Sequence, residues 1–127
     1  MITIYMAGPY TAGSSWEIEL NIRQAERIAL DFLQTGKAAV ICPHTMSRFY
    51  YGAIAENTVM QACLELIKRC DVVLVLPNWS NSKGTLQEIQ AAERYDILVK
   101  YLINYSHPYN PSEIIAAINI ELTGEAI

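Results

Sequence analysis

Cysteine is scarce: Cys42, Cys63 and Cys70 are the three in 127 residues. Their number is odd and none stands in a C-x-x-C pair, which argues against a disulfide framework or a zinc site. Histidine is scarcer still, with only His44 and His107. No H-x-x-x-H pattern or carboxylate cluster accompanies them, so no metal and no cofactor is expected. Charged residues make up 17%, the net charge is −4 and there is no basic stripe. That composition excludes a DNA or RNA polymer as main partner, but not a small nucleotide, because a helix N-terminus can hold a phosphate without bulk positive charge. No apolar run approaches the roughly 20 residues of a membrane span. The opening Met1-Ile2-Thr3-Ile4-Tyr5 has no basic leader or cleavage pattern, and the expected compartment is the cytoplasm. Repeats, linkers and low-complexity segments are missing as well.

What is present is a greasy chain, 52% apolar, long enough for one domain spanning residues 1–127. Ile2 to Met6 reads as a buried strand stopped by Ala7-Gly8-Pro9. Ser14 or Ser15 caps the next helix, with Glu17 completing a capping box. Ile18, Ile22, Ala25, Ile28, Ala29, Phe32 and Leu33 recur at helical spacing, and Gly36 ends the run. Ala38 to Cys42 is a second strand, stopped by Pro43. His44 to Ile54 reads as irregular and carries Arg48, Phe49, Tyr50 and Tyr51, either a ligand wall or subunit contact, or plain packing under a loop. A helix follows from Ala55 or Asn57 to Arg69, with Val59, Met60, Cys63, Leu66, Ile67 and Cys70 inward.

The third strand is Val72 to Leu76, the third long helix Thr85 to Tyr95, and the fourth strand Val99 to Ile103. Asn104 to Asn110 is turn-like. A last helix at about 112–122, capped by Ser112 or by Asn110 with Pro111 at its first position, puts Ile114, Ile115, Ile118 and Leu122 on one side. Strand–helix alternation predicts an α/β, flavodoxin-like three-layer sandwich with a parallel sheet of about four to five strands in the order 2-1-3-4. In that order the winding reverses between strands one and three, and a ligand crevice opens at their C-terminal ends. Gly8-Pro9-Tyr10 and the loop from Pro77 to Thr85 line it.

The second of these loops carries most of the candidate chemistry. Glu88 is either the reciprocal arm of a capping box, Thr85-Leu86-Gln87-Glu88, or a carboxylate in the crevice able to attack an electrophilic carbon. Ser82 caps the helix or donates to a phosphate. Gly84 lets the backbone approach a ligand or is a turn glycine, and Lys83 pairs with a phosphate or is solvated. Trp79 stacks on a base or packs on its loop. His44 is a candidate general acid or a packing residue, and His107 has no assigned role. The Gly8-Pro9 turn lacks the glycine spacing of a dinucleotide site or P-loop.

Three segments in order, Ile4-Tyr5-Met6-Ala7-Gly8-Pro9-Tyr10, Cys70-Asp71-Val72-Val73-Leu74-Val75-Leu76-Pro77 and Ser82-Lys83-Gly84-Thr85-Leu86-Gln87-Glu88, resemble the nucleoside 2-deoxyribosyltransferase-like superfamily. The likeness is nearest to its DUF4406-type branch and spans about residues 1–103. It implies cleavage of the N-glycosidic bond of a nucleoside or nucleoside monophosphate, with transfer to another base or to water. Glu88 would attack C1′ and form a glycosyl-enzyme intermediate, with Tyr10 beside it at the sugar. Gly8, Pro9, Ser82, Gly84, His44 and Trp79 are the implied substrate-binding residues. A Ser at position 82, where transferases of the superfamily commonly carry Asp, favours a nucleotide. The resemblance also implies a homodimer or higher homo-oligomer.

One departure stands out. Members of the superfamily carry an Asp eight residues before the Asp that opens strand three. Here Asp71 opens the strand and Cys63 occupies the earlier position. Glu56, Gln61 or His44 are the candidates to replace that acid. Asp71 itself lies at the far end of the strand, roughly 15 Å from the crevice. A nucleotide-binding or sensing module without catalysis is the alternative function, and an interaction protein in which Glu88 is only a cap is a third.

Overall fold

The computed structural model describes residues 1–50, 52–103 and 109–125. Its central strands are β1, Ile2–Ala7, and β3, Val72–Val75, both almost wholly buried. Buried parallel strands read as continuous apolar runs because both faces are covered, and Ile2-Thr3-Ile4-Tyr5-Met6-Ala7 and Val72-Val73-Leu74-Val75 have that character. The edge strands are β2, Ala38–Ile41, and β4, Leu98–Tyr101. All neighbours are parallel in the order β2-β1-β3-β4, the flavodoxin-like order expected, with four strands.

Between β1 and β2 runs α1, Ser15–Leu33; α3, Glu56–Ile67, and α4, Lys83–Arg94, make the crossovers on the other side of the reversal. Right-handed crossovers running in opposite directions place their helices on opposite faces. Accordingly Ile4, Met6, Val72 and Leu74 pack with Ala25, Ile28 and Phe32 of α1. Tyr5, Ala7, Val73 and Val75 point the other way, toward Cys63 and Ile67 of α3 and Ile89 and Ala92 of α4. The last helix, α5, Pro111–Thr123, joins the α1 face through Ile115 and Ile118.

Several boundaries move. Ser14, rather than Ser15, caps α1, accepting from the Glu17 N–H at 3.2 Å. Asn110, with Pro111 at the first position, caps α5 through the Glu113 N–H at 3.2 Å. Leu122 is exposed rather than inward. Pro43 does more than stop β2: its fixed φ suits a first helical position, and it starts a short helix, α2, Pro43–Met46, followed by a 3-10 turn, Arg48–Tyr50. The segment expected to be irregular is therefore partly helical. Arg48 ties that turn to α1 by pairing with Glu19, and with Glu26 at 3.7 Å. Tyr51, His107 and most of the expected turn at 104–110 lie outside the described residues.

Asp71 accepts from the Thr3 N–H at 2.8 Å, at the N-terminal edge of the sheet, and so stays away from the crevice as expected. At the opposite edge β1 and β3 close tightly. The Leu76 N–H donates to the Ala7 carbonyl at 2.7 Å. A Cβ on Gly8 would lie 2.9 Å from Leu76 Cβ and Cδ1. Gly8 is therefore required by strand packing. Gly8→Ala is expected to cost about 1–3 kcal/mol, the usual range for overpacking, seen as a lowered urea midpoint with an unchanged slope.

Candidate active site

The crevice is present where the winding reverses, as a cavity of about 580 Å³, within the usual range for small-molecule sites. One wall is the end of β1, with Gly8, Tyr10 and Thr11. A second is the start of α4, with Ser82, Lys83, Gly84 and Glu88, and a third is one side of α3, with Glu56, Val59, Met60 and Cys63. That last wall explains why an apolar stripe of α3 expected to be core is only partly so. Cys63 and Ile67 are buried, while Val59 and Met60 are half-buried and face the cavity. Tyr50 lines the mouth, whereas its neighbour Phe49 is 85% exposed. The ligand-wall reading of the aromatic loop therefore fits Tyr50, and plain packing under the loop does not fit the exposed Phe49.

The start of α4 decides the role of Glu88. Ser82 is the cap: its Oγ accepts from the Thr85 N–H at 3.2 Å and from Thr85 Oγ1 at 2.8 Å. The helix begins at Lys83, two residues earlier than expected, which moves Glu88 from the first turn into the second, out of capping reach. The Thr85–Glu88 capping box does not form. The Glu88 carboxylate accepts instead from the Tyr5 hydroxyl, which rises from β1 beneath the cavity. Glu88 is 6% exposed. Burial pushes its pKa up to about 8, and the Tyr5 hydrogen bond holds it from going further.

Tyr5 was legible only as a strand residue; its signal was a hydroxyl in the middle of an aliphatic strand. Burial first, and the Glu88 charge second, hold its own proton in place far above the ordinary phenol range. The Cys63 thiol shares a hydrogen bond with the same hydroxyl, and burial raises its pKa too. Tyr5, Glu88 and Cys63 thus form one buried, proton-rich group under the cavity.

His44 is 4% exposed. Its Nε2 lies 2.8 Å from the Pro9 carbonyl oxygen, so Nε2 carries the proton and donates. Nδ1 has no partner among the described residues. Burial lowers the ring's pKa, keeping it neutral. His44 lines the cavity, beside the Tyr10 ring at 5.8 Å between centroids, but as an acceptor whose acidic proton is committed. That corrects the general-acid expectation. Pro9 does not line the cavity; its carbonyl orients His44. Trp79 is also outside, tilted against Tyr101 at 5.2 Å over a separate depression at the end of β4. The 3-10 turn Trp79–Asn81 carries the indole to that side of the sheet edge, which overturns its expected place against a base.

The α4 start is also an anion site in form. The N–H groups of Lys83 and Gly84 lie in the first turn, where helices leave donors unpaired. Ser82 Oγ accepts twice, which leaves its own proton to give. A Cβ on Gly84 would stand 3.2 Å from Met60 Cε, close enough that the methionine tip would have to shift. Ser82→Ala removes the cap and strands the buried Thr85 hydroxyl. It should lower stability by about 1 kcal/mol, measured as a fall in the thermal midpoint at pH 7.

A family model described as "Domain of unknown function (DUF4406)" matches residues 2–101. Among solved structures, a 2-desoxiribosyltransferase from Leishmania mexicana superposes with a TM-score of 0.57 at 18% identity, covering 81% of this chain. The chain spans 65% of the length of that structure. At this identity the likeness concerns the fold alone, the parallel α/β sandwich described above. No curated protein sequence matches.

Proposed function

The chain belongs to the DUF4406 family, and from that premise and the cavity described above we propose that it binds a nucleoside monophosphate and cleaves its N-glycosidic bond with Glu88 as nucleophile. The observation that carries this reading is the Glu88 carboxylate itself. It lines a cavity of ligand size, bonded to Tyr5 and not to its own helix end. A carboxylate only capping α4 would have no reason to be desolvated there. The phosphate sits at the α4 N-terminus with the Ser82 hydroxyl and Lys83, and the sugar lies between Glu88 and Tyr10.

In the first step a Glu88 oxygen attacks C1′ as the base departs; in the second, water or another base displaces Glu88. Tyr5 donates to the carboxylate throughout, orienting it and stabilising its charge. His44 offers Nδ1 to a sugar or base N–H or O–H. The attacking form is the anion, so kcat/KM should rise about tenfold per pH unit below pH 8 and level above it. Exposed Phe49 and Ile54 on either side of Tyr50 in the sequence support assembly into a homo-oligomer at the cavity mouth.

The test is incubation with a panel of nucleoside monophosphates, with free base read by chromatography. Release by the wild type, abolished in Glu88→Gln, supports the reading. A second reading, a nucleotide sensor without catalysis, is favoured by one observation: Glu88, Tyr5 and Cys63 are packed together in a buried group, where burial raises the pKa of each and works against an ionised nucleophile. Thermal-shift titration that shows binding with no base released would select it.

A further inference from the structure

Cleaving a glycosidic bond normally needs a proton for the departing base, and such general acids commonly supply about 10²–10⁴ in rate. The cavity is poorly equipped to give one. The His44 ring is neutral and its N–H is held by the Pro9 carbonyl. The Cys63 thiol is bonded to Tyr5 and made less acidic by burial. Tyr5 donates to Glu88 from below the cavity. Lys83 stands at the start of α4, the end assigned above to the phosphate. Glu56 lines the exposed mouth, two helical turns and about 10 Å along α3 from Cys63. Among the described residues, no carboxylic acid other than the nucleophile and no imidazolium stands beside Glu88.

The same groups suit a cation. Two glutamates, Glu56 and Glu88, line the cavity, against one lysine committed to the phosphate end. Resting on the glycosidic reading above, we infer that the substrate is a nucleotide whose base is positively charged at the ring, an N-alkylated purine or a pyridinium. Such a base needs no proton to leave. The Glu88 oxygen bonds to C1′, the C1′–N bond breaks, and its electron pair neutralises the ring, so the base departs as a neutral molecule. Water then attacks C1′, Glu88 leaves as carboxylate, and the water's proton passes to solvent. One proton is released per base; a neutral base would have taken that proton up. The positive ring also favours the ionised form of Glu88 when bound, which supplies the nucleophile that burial otherwise suppresses.

Matched pairs test this: 7-methylguanosine monophosphate against guanosine monophosphate, and nicotinamide mononucleotide against its reduced, uncharged form. Base release is corrected for the uncatalysed rate, and acid is titrated at constant pH. The expected result is at least a hundredfold preference in kcat/KM for a charged member, with one proton released per base. Cys63→Asp places a carboxylic acid beside Glu88. It should narrow the preference for the charged member at least tenfold, by raising turnover of the neutral partner relative to the charged one. The wild-type comparison stands even if that variant does not fold. Comparable turnover of both members, or turnover of neutral nucleotides alone, overturns the charged-base inference and leaves the glycosidic reading intact. Silence with every nucleotide overturns both.

Discussion

Glu88→Gln is expected to lower base release at least a thousandfold and, in the same protein, to raise stability at alkaline pH. The amide keeps the shape and can still accept from Tyr5, but it is no nucleophile. The stability effect follows from linkage. A buried carboxyl whose pKa rises from 4.5 to about 8 on folding holds its proton more tightly in the native state. The stability this gives is complete below about pH 4.5 and is lost as pH climbs through 8. The full span corresponds to about 4–5 kcal/mol. The new amide N–H₂, buried near Cys63, returns about 1–3 kcal/mol of that if unpaired. Urea unfolding should therefore show the variant more stable by about 1–4 kcal/mol at pH 9, and equal or less stable at pH 4.5. A catalytic residue that destabilises its fold when charged is a cost tolerated for function. A structural cap would show the opposite sign.

Tyr5→Phe should lower kcat at pH 7 by about 10–150-fold. The change deletes the hydroxyl bonded to the Glu88 carboxylate and leaves the ring that fills the core between β1, α3 and α4. Hydrogen bonds to charged groups contribute about 1.5–3 kcal/mol. Because this bond lowers the Glu88 pKa, its loss should push the rising limb of the pH–rate profile to higher pH. KM for the phosphate-bearing substrate should hardly move, since Ser82 and Lys83 are untouched. A lower rate with an unmoved pH limb would make Tyr5 a packing residue only.

Much of this architecture could be read from residue order. The Val72–Val75 and Ile2–Ala7 runs identify buried parallel strands, and the helical stripe of α1 matches its packed face from Ile22 to Phe32, while Leu33 at its end is exposed. The convergence of the Gly8 and Ser82 loops follows from topology alone. The site was legible in its parts and not in its wiring. Glu88 and Ser82 were visible, but a T-x-x-E pattern cannot say whether the helix begins at Thr85 or Lys83. Only the Ser82 cap settles that, and with it where the carboxylate points. Tyr5 was hidden because strand residues are read by burial, and a buried hydroxyl's partner lies 83 positions away. Trp79 misled because loop aromatics look alike whichever side of a sheet edge they fall on. His44 misled for a related reason: its proton belongs to the carbonyl of Pro9, a contact across 35 residues.

The reading depends on Glu88 bonding to a sugar carbon. A nucleotide with an electron-withdrawing fluorine at C2′ disfavours the oxocarbenium-like transition states of both steps and should let the ester accumulate. Peptide mapping by mass spectrometry after an acid quench is predicted to find the pentosyl phosphate on Glu88. An adduct on any other side chain, or base release that continues undiminished in Glu88→Gln, would contradict it.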